Sequence, residues 1–156
     1  MDDLSVIKEG YREVFGRSET EIIPLPPSGS DRRYFRIMDG DRSVIGAYNS
    51  NQEENEAFVG FTEHFRKKNL PVPEVFGYLP SKFVYFQQDL GDDNLYTWLH
   101  KKKVISPFDS ESSNLYRKIF DNLILFQIKG IEGLNLDLCY PHRSFDRQSI
   151  ELKSFV

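Results

Sequence analysis

The sequence predicts an α+β fold: an antiparallel sheet of about five strands with one helix packed against it, followed by further helices. Three observations point there. Five short β-prone runs fall between residues 21 and 88, bounded by proline, glycine and other turn residues. One helical pattern interrupts them after the third run. Beyond residue 90 the apolar spacing is mostly helical.

Each element has its own warrant. Leu4, Ile7, Tyr11, Val14 and Phe15 share one helical face, and Gly16 stops that helix. "TEIIPLP" reads as a short strand ended by prolines. "RRYFRIM" and "SVIGAY" flank Asp39-Gly40-Asp41, whose Asp-Gly centre signals a hairpin because these residues tolerate positive φ. "NSNQEENEAF" opens a helix expected over about 53–68. Ser50 with Glu53, and Asn51 with Glu54, have capping-box spacing, and Phe58, Phe61 and Phe65 form its apolar stripe. Pro71 and Pro73 cannot continue it. "EVFGYL" and "KFVYFQQ" are strands around Pro80-Ser81. Leu95, Trp98 and Leu99 begin another helix. After a loop around Pro107, Leu115, Ile119, Leu123 and Phe126 line one face of a long helix over about 114–129. Its second apolar set, Tyr116, Phe120, Ile124 and Ile128, needs cover. Pro141 precedes a last helix from about Ser144.

Bulk properties narrow the function. The 156 residues suit one domain with a sizeable core, and 13 Phe with 8 Tyr argue against disorder. A net charge of −4 disfavours a broad nucleic-acid footprint. Lys101-Lys102-Lys103 reads as a solvated helix end. The single cysteine, Cys139, excludes an internal disulfide framework and reads as an inert thiol. No apolar run spans a bilayer, and the acidic "MDDLSVIKEG" lacks a signal peptide's features. A cytoplasmic protein is expected.

The segment "PPSGSDRRYFRI" (26–37) combines glycine and serine ahead of a strand. It reads either as a plain turn or as a phosphate cradle. Gly29 permits close backbone approach, the Ser28 and Ser30 hydroxyls can face oxygens, and Arg32 and Arg33 can add charge-assisted bonds.

Five segments in this order, "GSDRRYFRI", "NEAF", "LPVPEV", "QQDLGD" and "YPHRSFDRQS", resemble the aminoglycoside phosphotransferase and choline kinase superfamily. Within it they are most similar to the bacterial sugar kinases acting on N-acetylmuramate and N-acetylglucosamine. The resemblance implies a protein-kinase-like N-lobe with its leading helix over 1–90, and a hinge plus the first helices of an incomplete C-lobe over 91–156. It implies nucleotide contacts at Ser28, Gly29, Ser30, Asp31 and Arg33 around phosphate, Glu56 as a brace, and Gln87, Gln88, Asp89 and Leu90 at adenine. ATP is the implied cofactor, with Mg²⁺ in the complete enzyme. A sugar or amino-sugar is the implied substrate.

The chain also departs from the family. Phosphoryl transfer uses a strand lysine, a glutamate that holds it, a base-like aspartate and metal ligands. "RSVIGAYN" has no lysine; Gly46 or Tyr48 falls near its place. Arg33 or Arg36 could supply the cation, or phosphate binding is impaired. "NEA" favours Glu56 as the brace, whereas helical phase favours Glu54. "HRSFD" (142–146) is not a catalytic loop, because Ser144 stands where aspartate belongs and no asparagine follows. The resemblance therefore puts the catalytic loop and metal-binding aspartate beyond Val156. No catalytic residue and no metal ligand is assigned, and this chain alone is expected to be inactive. A homodimer through the apolar surface of the long helix is expected. The alternative is a non-enzymatic interaction module or pseudokinase of the same fold.

Overall fold

The computed structural model describes residues 2–27, 31–101 and 109–140. Ser28, Gly29, Ser30, Lys102, Lys103, the Pro107 loop, "HRSFD" and the helix expected from Ser144 lie outside the described residues. Five strands, β1 (Glu21–Pro24), β2 (Arg33–Asp39), β3 (Arg42–Tyr48), β4 (Val75–Leu79) and β5 (Val84–Gln88), form one sheet in the order β1-β2-β3-β5-β4. Every neighbouring pair is antiparallel. The expected five-stranded antiparallel sheet is present.

Helix α1 (Asp3–Phe15) is capped at both ends. The Asp2 carboxylate accepts the Ser5 N–H, and Gly16 closes the helix at φ 66. Its Ile7 and Tyr11 pack on Phe35, Ile37, Val84 and Phe86 of one sheet face. Helix α2 (Gln52–Lys67) lies between β3 and β4 in sequence, with Asn51 as its cap accepting the Glu54 N–H at 3.1 Å. Val59 packs with Ala47 and Tyr85, and Phe58 joins them. The Phe58 ring stacks on Tyr85 at 4.7 Å between centroids.

Strand alternation makes α1 and α2 cover opposite faces. Phe35 and Ile37 on β2 point towards α1, so Tyr34 points towards α2. The sheet is thus a middle layer between two helices, where the sequence predicted one packed helix.

The β2–β3 hairpin closes on Gly40 and Asp41, with Asp39 paired to Arg42. Only Gly40 has positive φ, 60°, the pattern of a type II′ turn with glycine first. The Asp-Gly centre expected from sequence is therefore shifted by one residue. Asp39 remains in the strand, where it accepts from Arg17 at 2.6 Å and the Tyr11 hydroxyl at 3.2 Å. These bonds tie the hairpin to α1.

Beyond the sheet, α3 (Leu95–Lys101) and α4 (Ser110–Leu125) follow, and α4 runs into a wider π-helical turn over Phe126–Gly130. That turn docks on α2. Phe126 meets Phe65 edge-on at 5.1 Å, and His64 Nε2 donates to the Gly130 carbonyl at 2.8 Å. Among the described residues no helix is long and apolar enough to cross a membrane.

Candidate functional site

The sheet face that meets α2 carries most of the unusual polar chemistry. Arg32 immediately precedes β2, in phase with Tyr34, and its side chain is 13% exposed. The guanidinium carbon lies 5.6 Å from the Phe58 ring centre and 5.7 Å from that of Tyr85. Arg32 Nη2 is 3.4 Å from Glu54 Oε2, and Nη1 reaches the Tyr34 hydroxyl at 3.5 Å. Both contacts are long, and Arg32 Nε is buried with no partner among the described residues. Burial would lower the Arg32 pKa, but Tyr34, Tyr85 and Glu54 raise it further, so the group stays cationic. Burial is also the main reason the neighbouring Tyr85 hydroxyl stays protonated well above its ordinary range.

Glu54 is oriented from two sides. Its N–H is held by the Asn51 cap, and its carboxylate accepts from Asn49 Nδ2. Asn49 is itself buried, and its Oδ1 accepts the Asn51 N–H at 3.0 Å. The buried Asn55 closes this corner by donating to the Asn49 carbonyl at 2.8 Å. Asp31, Asn49, Ser50, Asn51 and Glu54 line an open polar cavity of about 500 Å³.

A second cluster joins β2 to the segment after β5. Arg36 donates from Nε and Nη2 to the two Asp89 oxygens, and from Nη2 to Asp92. Burial pushes the Asp89 carboxyl up, but bonds from Arg36 and the Gly91 N–H outweigh it and hold the pKa below the usual range. Its bonds to Asp89 and then Asp92 raise the Arg36 pKa.

The residues expected to bind nucleotide divide unevenly. Asp31 lines the cavity. Arg33 does not join it: its guanidinium is 68% exposed and pairs with Asp3 of α1 at 2.5 Å. Glu56 accepts from Gln52 at 2.7 Å, and after burial its charge is the other cause of the raised pKa of Tyr78 on β4. Glu54, not Glu56, is the carboxylate that pairs with Arg32. Gln87 and Gln88 lie inside the β5 ladders, Gln87 between Ile45 and Val75. Asp89 and Leu90 are the first residues past those ladders, and Leu90 is exposed.

The strand positions considered for a lysine also separate. A Cβ on Gly46 would meet Ile37, Ile7 and Phe86, and Tyr48 packs with the same cluster, so both face α1. Ala47 is the residue that faces α2 there. The sequence reading missed Asn49 and Asn55 as supports of Glu54. The capping signal in the sequence lay on Ser50 and Asn51, and nothing local marked Asn49 or Asn55 as buried.

Among the described residues, no group of three or more His, Cys, Asp or Glu is placed to hold a metal ion. The chain was compared with protein-family models, curated proteins and solved structures, and none of the three gave a match.

Proposed function

We propose that this chain is the nucleotide-binding portion of an ATP-dependent small-molecule phosphotransferase, with a sugar hydroxyl as the acceptor. The supporting observation is the combination of sheet and helix. A five-stranded antiparallel sheet receives α2 between its third and fourth strands, and α2 presents Glu54 to an arginine on the covered face. The sheet with one helix inserted after its third strand is what the resemblance to kinase-like phosphotransferases implies; that resemblance named Glu56 as the brace, and here Glu54 is the residue that meets an arginine. ATP would supply the transferable phosphoryl group. The chain's own groups would contribute binding and orientation: backbone atoms of Asp89 and Leu90 at the base, and the Arg32 corner at the phosphates. The protein is placed in the cytoplasm, and the exposed face of α4 is assigned to pairing of two copies.

Titrating the chain with ATP, followed by backbone amide shifts, tests the reading. Binding is expected on the order of 1 mM, about 4 kcal/mol, without phosphate transfer to any sugar. Shifts at Asp31 and at 87–90 together mark one shared site. Absence of both up to about 10 mM ATP rejects it.

One observation favours a non-enzymatic module of the same fold. The α2-facing position on β3 is Ala47, and Arg36 is already bound to two carboxylates. That reading requires no nucleotide binding, so the same titration separates the two.

A further inference from the structure

We propose that the cleft between the last turn of α1 and the β2–β3 hairpin binds a small aromatic monocarboxylate, with its ring against Phe15 and Phe76 and its carboxylate on Arg42. This cleft lies on the sheet face opposite the Arg32 corner and is independent of the nucleotide reading.

Strand alternation builds the floor. Ile37 and Asp39 of β2, with Arg42 and Val44 of β3, share the face that α1 covers. The helix ends at Phe15, and a cavity of about 320 Å³ remains there between these residues, Phe15 and Phe76. That volume is at the small end of ligand pockets and suits one ring with a short substituent.

The Phe76 wall is made by an irregularity in β4. Val75 pairs with Gln87 and Gly77 with Phe86, so Phe76 is one residue extra in the ladder. The extra residue breaks the alternation. Val75 packs with Ala47 and Tyr85 on the α2 face, while a Cβ on Gly77 would meet Val14 of α1. Phe76 is turned to the α1 face as well, edge-on to Phe15 at 6.1 Å between centroids. It remains 41% exposed, a large ring at the side of a cavity and outside the core.

The rim supplies the charge. Asp39 is already engaged: its Oδ2 accepts from Arg17 Nε at 2.6 Å and from the Tyr11 hydroxyl at 3.2 Å. Arg42 stands opposite Asp39 in the ladder, is exposed, and makes no ion pair among the described residues. Arg17 and Asp39 offset each other, so Arg42 gives the rim one surplus positive charge. An apolar ring carrying a single negative charge matches both the walls and the rim.

The experiment is a titration of the 156-residue chain with sodium phenylacetate at low salt, following the Val44 and Ile37 methyl resonances. Both are expected to move, with a dissociation constant on the order of 1 mM. Phenylacetamide keeps the ring and lacks the charge, and is expected to bind about fivefold more weakly. Arg42→Gln should remove that difference by weakening phenylacetate alone, and Phe76→Ala should weaken both compounds about fivefold. Arg117→Gln, on α4, should bind phenylacetate within about twofold of the parent. The proposal is overturned if neither methyl shifts up to about 20 mM phenylacetate. It is equally overturned if phenylacetamide binds as well as phenylacetate, or if Arg42→Gln leaves phenylacetate binding unchanged. Should Phe76→Ala fail to fold, Arg42→Gln decides, because Arg42 is exposed and lies outside the core.

Discussion

Arg36 and Asp89, 53 residues apart, grip each other at two points, 2.6 Å from Nε and 3.1 Å from Nη2. The Asp89 side chain is 6% exposed and that of Arg36 18%. This bond fastens the segment after β5 to the second strand of the sheet. With both carboxylate oxygens taken by Arg36, the Asp89 side chain is committed to the fold.

Asp89→Asn is expected to lower stability by about 2–3 kcal/mol, because the partly buried Arg36 loses a charged acceptor. Asp92 binds the same Nη2 but is 82% exposed. Asp92→Asn is expected to change stability by less than about 0.5 kcal/mol. Urea melts of the two variants check the contrast, and equal effects would sink it.

The Asp89 pKa fixes the sign of an acid response. Its folded value is depressed below the usual 3.8, so the unfolded chain takes up the proton first as pH falls. The stabilisation is present above pH 3.8 and is lost as pH drops through the folded value. Glu19 behaves alike: burial raises its pKa, but Lys8 and Arg12 outweigh that and lower it. The thermal midpoint should therefore stay nearly flat from about pH 7 to about 5 and fall below about 4. In Asp89→Asn the acid limb should be shallower. A limb as steep as the parent's would mean that other carboxylates govern it.

Gly46→Val is expected to cost about 1–3 kcal/mol, the range for overpacking a filled core. The added Cβ alone would come within 3.0 Å of Ile37, 3.1 Å of Ile7 and 3.2 Å of Phe86. These are side chains of the α1 core, where a charged lysine could not be accommodated. A thermal melt unchanged from the parent would show that α1 can retreat without cost.

Local signals carried the strands well because period-two patterns and prolines act over a few residues. "RRYFRIM" and "SVIGAY" match β2 and β3 to within one residue at each end. The strand expected from Lys82 begins instead at Val84, after a tight turn in which Phe83 adopts φ 57. No local pattern announces a phenylalanine in that conformation. The partner of each sheet face was equally hidden, since alternation defines two faces without saying which helix covers which. The Arg32 corner was partly legible. Arg32, Tyr34 and Arg36 share one parity in β2, and Arg33 has the other. Combined with the helical phase that favoured Glu54 over Glu56, this separates the two arginines. What sequence could not give was the pairing of Arg36 with Asp89, a contact made by the sheet's tertiary order.

The outer face of α4 leads to the last prediction. Phe120 is 58% exposed, Ile124 51% and Ile128 62%, spaced one helical turn apart. The same elements use Phe126 and Gly130 to dock on α2, so the helix cannot rotate to bury both sets. Adjacent exposed Ile131 extends the stripe. A continuous apolar face of this kind binds hydrophobic dyes and drives self-association. The chain is expected to enhance the fluorescence of an anilinonaphthalene dye while folded, and to gain mass with concentration in sedimentation. The double change Phe120→Glu with Ile124→Lys places charges of opposite sign one turn apart on the exposed face, where they support the helix. It should reduce dye binding severalfold and leave the melting temperature within a few degrees, because neither side chain is part of the core. Dye binding that persists in the variant would locate the sticky surface elsewhere, and a large drop in melting temperature would show that the face is covered within the chain.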